Sequence, residues 1–309
     1  MKSYINLIFL FLFICISCGS RNISGEQPVA SESDTLKRFT LPSIPTVLNT
    51  PELRSDFLVR HYWDNVNFAD TNYIHHPEIT EQAWVDYVDI LKLVPDSTAR
   101  TSIKSLFKSA EAEKKVFLYF TELANKYLRD PNSPMRNEEY YIPVLDVMLE
   151  TTLLDDVEKI RPQARRKLAE QNRQGKPAID FSYTSASGKS GTLYSLKAEY
   201  TLLFFNNPGC QACGESIEEI KWASAINKEM AAGKLKILAV YPDEEVDEWK
   251  KHLADFPREW INGYDKGTRI KEKNLYDLKA IPTLYLLDKN KTVLLKDATV
   301  MQIEEYLAQ

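Results

Sequence analysis

The stretch LLFFNNPGCQACGESIEEI (residues 202–220) decides the fold of the second half of the chain. Its apolar run 202–205 predicts a buried strand, and the turn-forming residues 206–209 follow at once. Cys210 and Cys213 then open a segment with helical spacing of apolar residues. A strand, a turn and a CxxC motif at the start of a helix form an arrangement suited to thiol chemistry.

The spacing of this segment separates the two thiols. Cys213, Ile217 and Ile220 lie at positions i, i+4 and i+7, so they share the buried face of the predicted helix. Cys210 lies one turn earlier, at the helix start, where unpaired backbone N–H groups and partial positive charge favour a thiolate. We therefore expect Cys210 to be the exposed nucleophile and Cys213 the buried resolving thiol of a redox-active disulfide.

Length and charge limit the classes of protein to which the chain can belong. Its 309 residues are enough for two domains with separate cores. The net charge is -5, and its 39 Lys and Arg residues are scattered among 44 Asp and Glu residues without a basic stripe. This pattern argues against nucleic acid as a partner and predicts an ordinary solvated surface.

The N-terminus has the pattern of a targeting segment. The apolar run 5–16 is about a dozen residues long, whereas a membrane-spanning helix needs about 20. It predicts a signal peptide over residues 1–17. The polar segment 18–38 has no hydrophobic period and predicts a flexible tether.

The sequence CISCG (residues 15–19) resembles a bacterial lipobox. The resemblance implies cleavage before Cys18 and a lipid on its thiol, although Cys15 stands where leucine is usual. Plain secretion and an uncleaved anchor are the alternatives. With Cys15 and Cys18 in this segment, only the CxxC thiols remain for a folded domain, so no structural disulfide framework is expected.

Residues 39–174 predict an all-helical domain. Apolar residues recur at helical spacing, and prolines divide the pattern. The predicted helices cover 51–65, 77–94, 96–130 and 138–171. Aromatic residues of this region are interpreted as core or interdomain residues rather than a binding site; they are Tyr62, Trp63, Trp84 and Tyr87. His75 and His76 are interpreted as part of a loop before a helix rather than as a metal-ligand pair, and no metal or organic cofactor is expected.

Residues 175–309 predict an α/β layered domain. Strands and helices alternate, and the chain closes with a hairpin and a helix. The predicted strands are 180–183, 192–196, 201–206, 235–241, 283–287 and 292–296, and the predicted helices are 214–231, 244–254 and 300–307. Residues 255–264 are expected to form a loop.

This second domain resembles the thioredoxin-fold thiol-disulfide oxidoreductases, especially their membrane-tethered TlpA-like branch. The motifs that match are the CxxC after a strand and Ala280-Ile281-Pro282-Thr283 before another. The resemblance implies that Pro282 follows a cis peptide bond beside the CxxC and that the Ile281 backbone docks an extended substrate. Gly209 is expected to join this substrate site. An ordinary trans proline opening an edge strand is the alternative for Pro282.

The helical half resembles an uncharacterised domain that precedes thioredoxin-like domains in some Gram-negative lipoproteins. This resemblance supports two domains and implies no chemistry of its own.

The sequence also departs from the thioredoxin pattern. Gly209 replaces the common Trp before the first cysteine, and Ala212 replaces the common Pro before the second. Ser216 stands where TlpA-like proteins often carry Glu, and Phe204 stands where thioredoxins carry a buried acid. The usual internal proton acceptor is therefore absent, and solvent would serve as the base.

Three functions remain open from the sequence. The favoured one is a periplasm-facing, lipid-anchored thiol-disulfide oxidoreductase of the cell envelope that acts on protein dithiols and disulfides, chiefly as a reductase, with a membrane electron donor. The first alternative is a binding module that uses the helical domain, with the CxxC only a structural disulfide. The second is a thiol peroxidase of the same fold, which the closely spaced second cysteine disfavours.

Overall fold

The computed structural model describes residues 39–309. The predicted signal peptide, the tether and the lipidation site Cys18 lie outside these residues. Within the described range, no helix combines the length and the apolar character needed to cross a membrane.

The first half of the described chain is helical. Its helices are α1 (Pro51–His61), α2 (Asn72–His75), α3 (Pro77–Leu91), α4 (Asp96–Ala110), α5 (Lys114–Ala124), α6 (Glu138–Glu150) and α7 (Asp156–Glu170). Helix α5 continues directly into a π-helical turn, Asn125–Arg129. The first strand among residues 39–309 begins at Ser182.

Two predicted helices are each divided in the structure. The segment 96–130 breaks after Ala110, and the Glu113 side chain caps α5 by accepting from the Lys115 N–H at 3.0 Å. The segment 138–171 breaks after Glu150, where Asp155 and Glu158 form a reciprocal capping box at the start of α7. In both places a carboxylate satisfies helix N–H groups that would otherwise be unpaired.

The core of the helical half is aromatic. Trp84, Phe107 and Phe120 are fully buried, and the Trp84 ring meets the Phe107 ring edge-on with centroids 6.2 Å apart. Edge-on contacts of this kind add to the stabilisation from burial. The four aromatic residues singled out from the sequence all belong to this core: Tyr62, Trp63, Trp84 and Tyr87.

The second half builds one seven-stranded mixed sheet in the order β2-β1-β5-β4-β3-β6-β7. The strands are β1 (Ser182–Ser185), β2 (Ser190–Thr192), β3 (Tyr200–Phe205), β4 (Leu235–Tyr241), β5 (Ile261–Tyr264), β6 (Thr283–Leu287) and β7 (Val293–Lys296). Strand β4 is parallel to β3 and β5, whereas β6 is antiparallel to β3. The all-helical half and this α/β half are the two fold classes that the sequence predicts.

Strand β3, which lies between β4 and β6, is buried on both faces. The helices of this half are α8 (Gln211–Trp222), α9 (Ser224–Ala231), α10 (Val246–Lys251), α11 (Arg269–Glu272) and α12 (Val300–Leu307). Leu202 and Phe204 pack with Ile217 of α8, while Leu203 and Phe205 pack into the core on the opposite face. This two-sided burial explains why the strand is a continuous apolar run.

Strand β5 was not expected from the sequence, which predicts a loop there. It contains Gly263, and the Tyr183 ring of β1 occupies the space beside that glycine. A Cβ atom at Gly263 would lie 2.7 Å from the Tyr183 Cδ2 atom. Gly263 makes the segment look less like a strand in the sequence, but the structure needs a glycine there because the Tyr183 ring leaves no space for a side chain.

The linker between the two halves extends the sheet. The Gly175 N–H donates to the Val293 carbonyl at 2.8 Å, and the Val293 N–H donates to the Lys176 carbonyl at 2.9 Å. The linker thus pairs with the outer edge of β7. It protects an edge strand that would otherwise present unpaired backbone groups.

Charged side chains join the helical half to the β7 edge of the sheet. The Lys296 ammonium lies 2.5 Å from a Glu138 carboxylate oxygen and donates to the Gln171 carbonyl at 2.7 Å. Burial raises the pKa of Glu138, against the attraction of Lys296. Lys279 is close enough to Glu138 to interact with it electrostatically, lies 3.0 Å from Asp277 and precedes the Ile281–Pro282 segment. These ion pairs connect the helical half to the sheet near the Ile281–Pro282 loop, which the sequence predicts to dock the substrate.

Candidate active site

Cys210 occupies the N-cap position of α8. Its sulfur accepts a hydrogen bond from the Cys213 backbone N–H at 3.3 Å. The residue is partly exposed, and its sulfur lies at the positive end of the helix dipole. The structure therefore places at the surface the thiol that the sequence predicts to be the nucleophile.

The turn before Cys210 depends on Gly209. This residue has a φ of 67°, in the left-handed region that side chains disfavour, and it is exposed. The Cys210 N–H donates back across the turn to the Asn207 carbonyl at 3.4 Å. Gly209 thus sets the direction in which the chain enters α8 and leaves the approach to Cys210 open.

Cys213 lies below the surface, with only 2% of its area exposed. It packs in the same core cluster as Ile217 and Ile220. Burial and the neighbouring Cys210 raise the pKa of Cys213 to about 12, while the Asn207 backbone acts in the opposite direction. At neutral pH the Cys213 thiol therefore stays protonated. The two cysteines also differ in burial, because Cys210 is partly exposed whereas Cys213 is buried.

The predicted substrate loop reaches the CxxC through strand pairing. Phe205, which ends β3, pairs with Thr283, which starts β6. The two segments that leave this pair, toward Cys210 and toward Pro282, therefore meet. The Ile281–Pro282 peptide bond is cis, as the family resemblance implies, and the Cys210 thiol donates to the Ile281 carbonyl at 3.8 Å.

Among residues 39–309, no carboxylate contributes to the shift in the pKa of the buried Cys213 thiol. Phe204 fills the position of the missing acid and is fully buried, with its ring edge-on to Trp260 at a centroid distance of 6.2 Å. Trp260 shares a core cluster with Cys213, a neighbour that sequence analysis missed because nothing in the sequence links the two. Ser216 is half-buried, and Glu215 points to solvent with the Gln211 amide donating to it at 2.9 Å.

The structure brings the predicted site residues of the second domain together. Gly209, Cys210 and Cys213 form one segment, and Ile281 and Pro282 lie against it. Cys18 falls outside residues 39–309. Within that range, no group of three or more His, Cys, Asp or Glu side chains could hold a metal ion.

Two family models match the chain. A domain of unknown function (DUF5106) matches residues 17–172, and a thioredoxin-like model matches residues 198–293. No curated protein matches the chain.

Solved structures of other proteins are similar to the chain. The crystal structure of a thioredoxin-like protein from Bacteroides caccae is 63% identical, covers 89% of this chain and 99% of its own, and has a TM-score of 0.87. The C-terminal domain of an uncharacterised Bacteroides fragilis protein is 66% identical over 45% of this chain and 99% of its own, with a TM-score of 0.44. A domain named "possible thiol-disulfide isomerase" from Cytophaga hutchinsonii is 28% identical over 45% of this chain and 94% of its own, with a TM-score of 0.39.

Proposed function

The chain belongs to the family of thioredoxin-like proteins in which a DUF5106 domain precedes the thioredoxin-like domain, and on this premise we propose that it is a thiol-disulfide oxidoreductase. One observation carries the proposal. The partly exposed Cys210 lies at the start of α8, and its sulfur accepts a hydrogen bond from the backbone N–H of a second, buried cysteine three residues later. A pair of thiols with such different environments suits attack by one and resolution by the other.

The reaction proceeds in two exchanges. The Cys210 thiolate attacks one sulfur of a substrate disulfide, the substrate S–S bond breaks, and the released substrate sulfur takes up a proton. Cys213 then loses its proton and attacks the Cys210 sulfur of the mixed disulfide, which frees the second substrate sulfur as a thiol. Two electrons and two protons have passed to the substrate, and the protein holds the Cys210–Cys213 disulfide.

The protein works chiefly as a reductase in this proposal. A dithiol-bearing electron donor of the membrane returns the Cys210–Cys213 pair to its reduced state by the same exchange.

The surroundings of the thiol support a protein as the substrate. The Ile281 backbone and the exposed Gly209 flank the nucleophile. An extended protein segment fits there better than a small molecule, because backbone groups rather than a closed pocket surround the thiol.

Trapping of the mixed disulfide tests the proposal. A Cys213→Ser variant mixed with a disulfide-linked model peptide dimer should accumulate one peptide per protein, bound at Cys210, because nothing resolves the adduct. A Cys210→Ser variant is the matched control and should accumulate none. Mass spectrometry of the intact protein measures the amount of peptide adduct on each variant. The absence of any adduct on a folded Cys213→Ser protein would overturn the proposal.

A second candidate function rests on the finding that no carboxylate of the described residues acts on Cys213, since Phe204 and Ser216 take the two usual positions. In that account the helical half binds a partner, and the Cys210–Cys213 disulfide only fixes the start of α8. It predicts that the prereduced protein reduces no disulfide. It also predicts that replacing both cysteines by Ser lowers the melting temperature without removing partner binding.

We also propose that the protein is tethered to the cell envelope, facing the periplasm, by a lipid on Cys18. The sequence pattern of residues 1–17 and the CISCG motif support this proposal. Disulfide exchange suits that compartment, where disulfides persist. A Cys18→Ala variant should lose incorporation of labelled fatty acid and leave the membrane fraction; unchanged labelling would contradict the proposal.

A further inference from the structure

Beyond the thiol site, α8 and α12 enclose an open groove of about 870 Å³. Its floor is apolar and its rim is acidic. The floor is formed by Trp222, Ala223, Val300 and Met301. The rim carries Glu215, Glu218, Glu219 and Glu304.

The floor of the groove is unusually exposed to solvent. Trp222 has 85% of its surface exposed and Met301 has 66%, whereas the other tryptophans of the chain are at most 7% exposed. Large apolar side chains grouped on a surface mark interaction sites, and tryptophan is enriched among the residues that dominate binding energy. A partner that covers Trp222 would remove a large apolar area from water.

The rim has more negative charge than the protein neutralises. Glu218 pairs with Lys221 at 2.7 Å, and the Glu304 carboxylate accepts from the Ala225 N–H at 2.6 Å at the start of α9. Glu215 accepts only a neutral amide hydrogen bond, and Glu219 has no partner among the described residues. The groove therefore favours a partner with Lys or Arg beside an apolar residue, and it disfavours an anionic lipid surface.

The groove is continuous with the thiol site along one face of α8. Gln211, Glu215, Glu218 and Trp222 follow one another at intervals of three or four residues, so they form an exposed stripe that begins beside Cys210. Trp222 lies twelve positions after Cys210 along the helix, which corresponds to roughly 18 Å. About six extended residues of a substrate chain span this distance.

We propose that this groove is a second binding site for the protein substrates of the Cys210 thiol. It takes an apolar residue flanked by Lys or Arg that lies about six residues from the substrate cysteine under attack. The inference rests on the proposed oxidoreductase function. It adds a preference for substrates with a basic, apolar segment, which the contacts around Cys210 do not provide. Trp222 is the anchor contact and Glu219 supplies the charge selection.

Fluorescence quenching tests the binding step without any thiol chemistry. Because Trp222 is the one tryptophan that is largely exposed, acrylamide should quench the free protein strongly and the Trp222→Phe variant weakly. A cysteine-free peptide ending in Lys-Leu-Leu-Lys-Arg should lower the quenching of the natural protein to that of the variant. The same peptide with Glu in place of Lys and Arg should give no protection.

Three quenching results would overturn the inference. Weak quenching of the free protein would mean that the chain itself, or a second copy if dilution restores quenching, covers the groove. Protection by vesicles containing anionic phosphatidylglycerol but not by the basic peptide would assign the groove to a membrane. Equal protection by the basic and acidic peptides would remove the charge selection.

Kinetics with peptide disulfides separates this inference from the proposed function. The substrate is a peptide whose cysteine is linked to thionitrobenzoate and lies six residues before the basic apolar sequence; the comparison peptide lacks that sequence. We expect kcat/KM to be roughly tenfold higher for the longer peptide, and Trp222→Ala or Glu219→Lys to reduce this ratio to about one. Val157→Ala, a change at an exposed apolar residue of α7, is the control and should keep the ratio.

The two failures look different in this assay. If the prereduced protein releases no thionitrobenzoate from either peptide, the proposed oxidoreductase function fails, whatever the quenching shows. If both peptides react at the same kcat/KM, the oxidoreductase function stands and the groove is not a substrate site.

Discussion

The sulfur of Cys210 lies 3.8 Å from the carbonyl oxygen of Ile281, a residue 71 positions later in the chain. Pairing of β3 with β6 creates this proximity, because Phe205 and Thr283 are opposite each other and both lead directly into the site. Under the proposed function, a substrate segment that reaches Cys210 would therefore also meet the backbone of the Ile281–Pro282 loop. The proposed nucleophile and the proposed docking backbone lie at one place in the fold.

The resolving step should depend steeply on pH. Since burial raises the pKa of Cys213 to about 12, its thiolate fraction, and with it the resolving rate, should rise about tenfold per pH unit between pH 6 and 9. Loss of the Cys210 thiol in the mixed disulfide removes a smaller contribution to the pKa, so the rate should still not level off near the ordinary thiol pKa of about 8.5. Acid-quenched mixed disulfide, counted by mass spectrometry, measures this rate. A plateau at or below pH 8.5 would contradict the assigned burial effect.

A carboxylate one turn after Cys213 should accelerate the same step. Ser216 is half-buried and lies three residues beyond Cys213, on the same side of α8. A Ser216→Glu variant should resolve the mixed disulfide roughly tenfold faster at pH 7, because the new group can accept the Cys213 proton. The Ser216→Gln variant has the same shape without the base and should resolve at the natural rate. Equal acceleration by both variants would exclude proton transfer as the cause.

Two glycines beside the CxxC should respond oppositely to alanine. Gly209 has a φ of 67°, so Gly209→Ala should lower the free energy of unfolding by about 1–2 kcal/mol. Gly214 lies within α8 with open space around it, so Gly214→Ala should raise that free energy by about 0.5–1 kcal/mol. Urea unfolding of both variants measures the difference. Changes of the same sign would show that the turn does not hold Gly209 in the left-handed conformation.

The charged contact between the two halves should matter for stability. Lys296 has a side chain only 10% exposed and satisfies both Glu138 and the end of α7. Lys296→Met should lower the free energy of unfolding by about 3 kcal/mol, because it leaves a partly buried carboxylate without a counter-charge.

The exposed pair Lys250–Asp247, with 56% and 93% of its side chains exposed, supplies the control for that change. Lys250→Met should cost less than about 0.5 kcal/mol. Guanidinium unfolding followed by circular dichroism compares the two variants. A small loss for both would mean that Lys296 does not brace the helical half.

The sequence predicted the parts of the fold whose causes are local. The strand before Cys210 and the burial of Cys213 follow from an apolar run and from helical spacing. The start of α7 could also have been found locally, because Asp155 and Glu158 stand at the capping-box spacing. The sheet position of the Ile281–Pro282 loop needed the family resemblance.

Other features depend on distant residues, which a single sequence does not reveal. The predicted helix 214–231 ends at Trp222 and resumes at Ser224, because the Glu304 carboxylate caps the second part through the Ala225 and Ile226 N–H groups. Strand β5 was missed for the same kind of reason, since only the Tyr183 ring explains Gly263. The contact of Lys296 with Glu138 joins a strand of the second half to a helix of the first half of the described chain.

The central claim is that Cys210 and Cys213 form a catalytic rather than a structural disulfide. Its most direct test is the equilibrium reduction potential of the pair, measured by alkylation gel shifts in defined redox buffers. The account predicts a value near that of thioredoxin, about −270 mV, as expected for a reductase. A value near about −120 mV would instead indicate an oxidant. A value well below about −300 mV would contradict the claim and assign the disulfide a structural role.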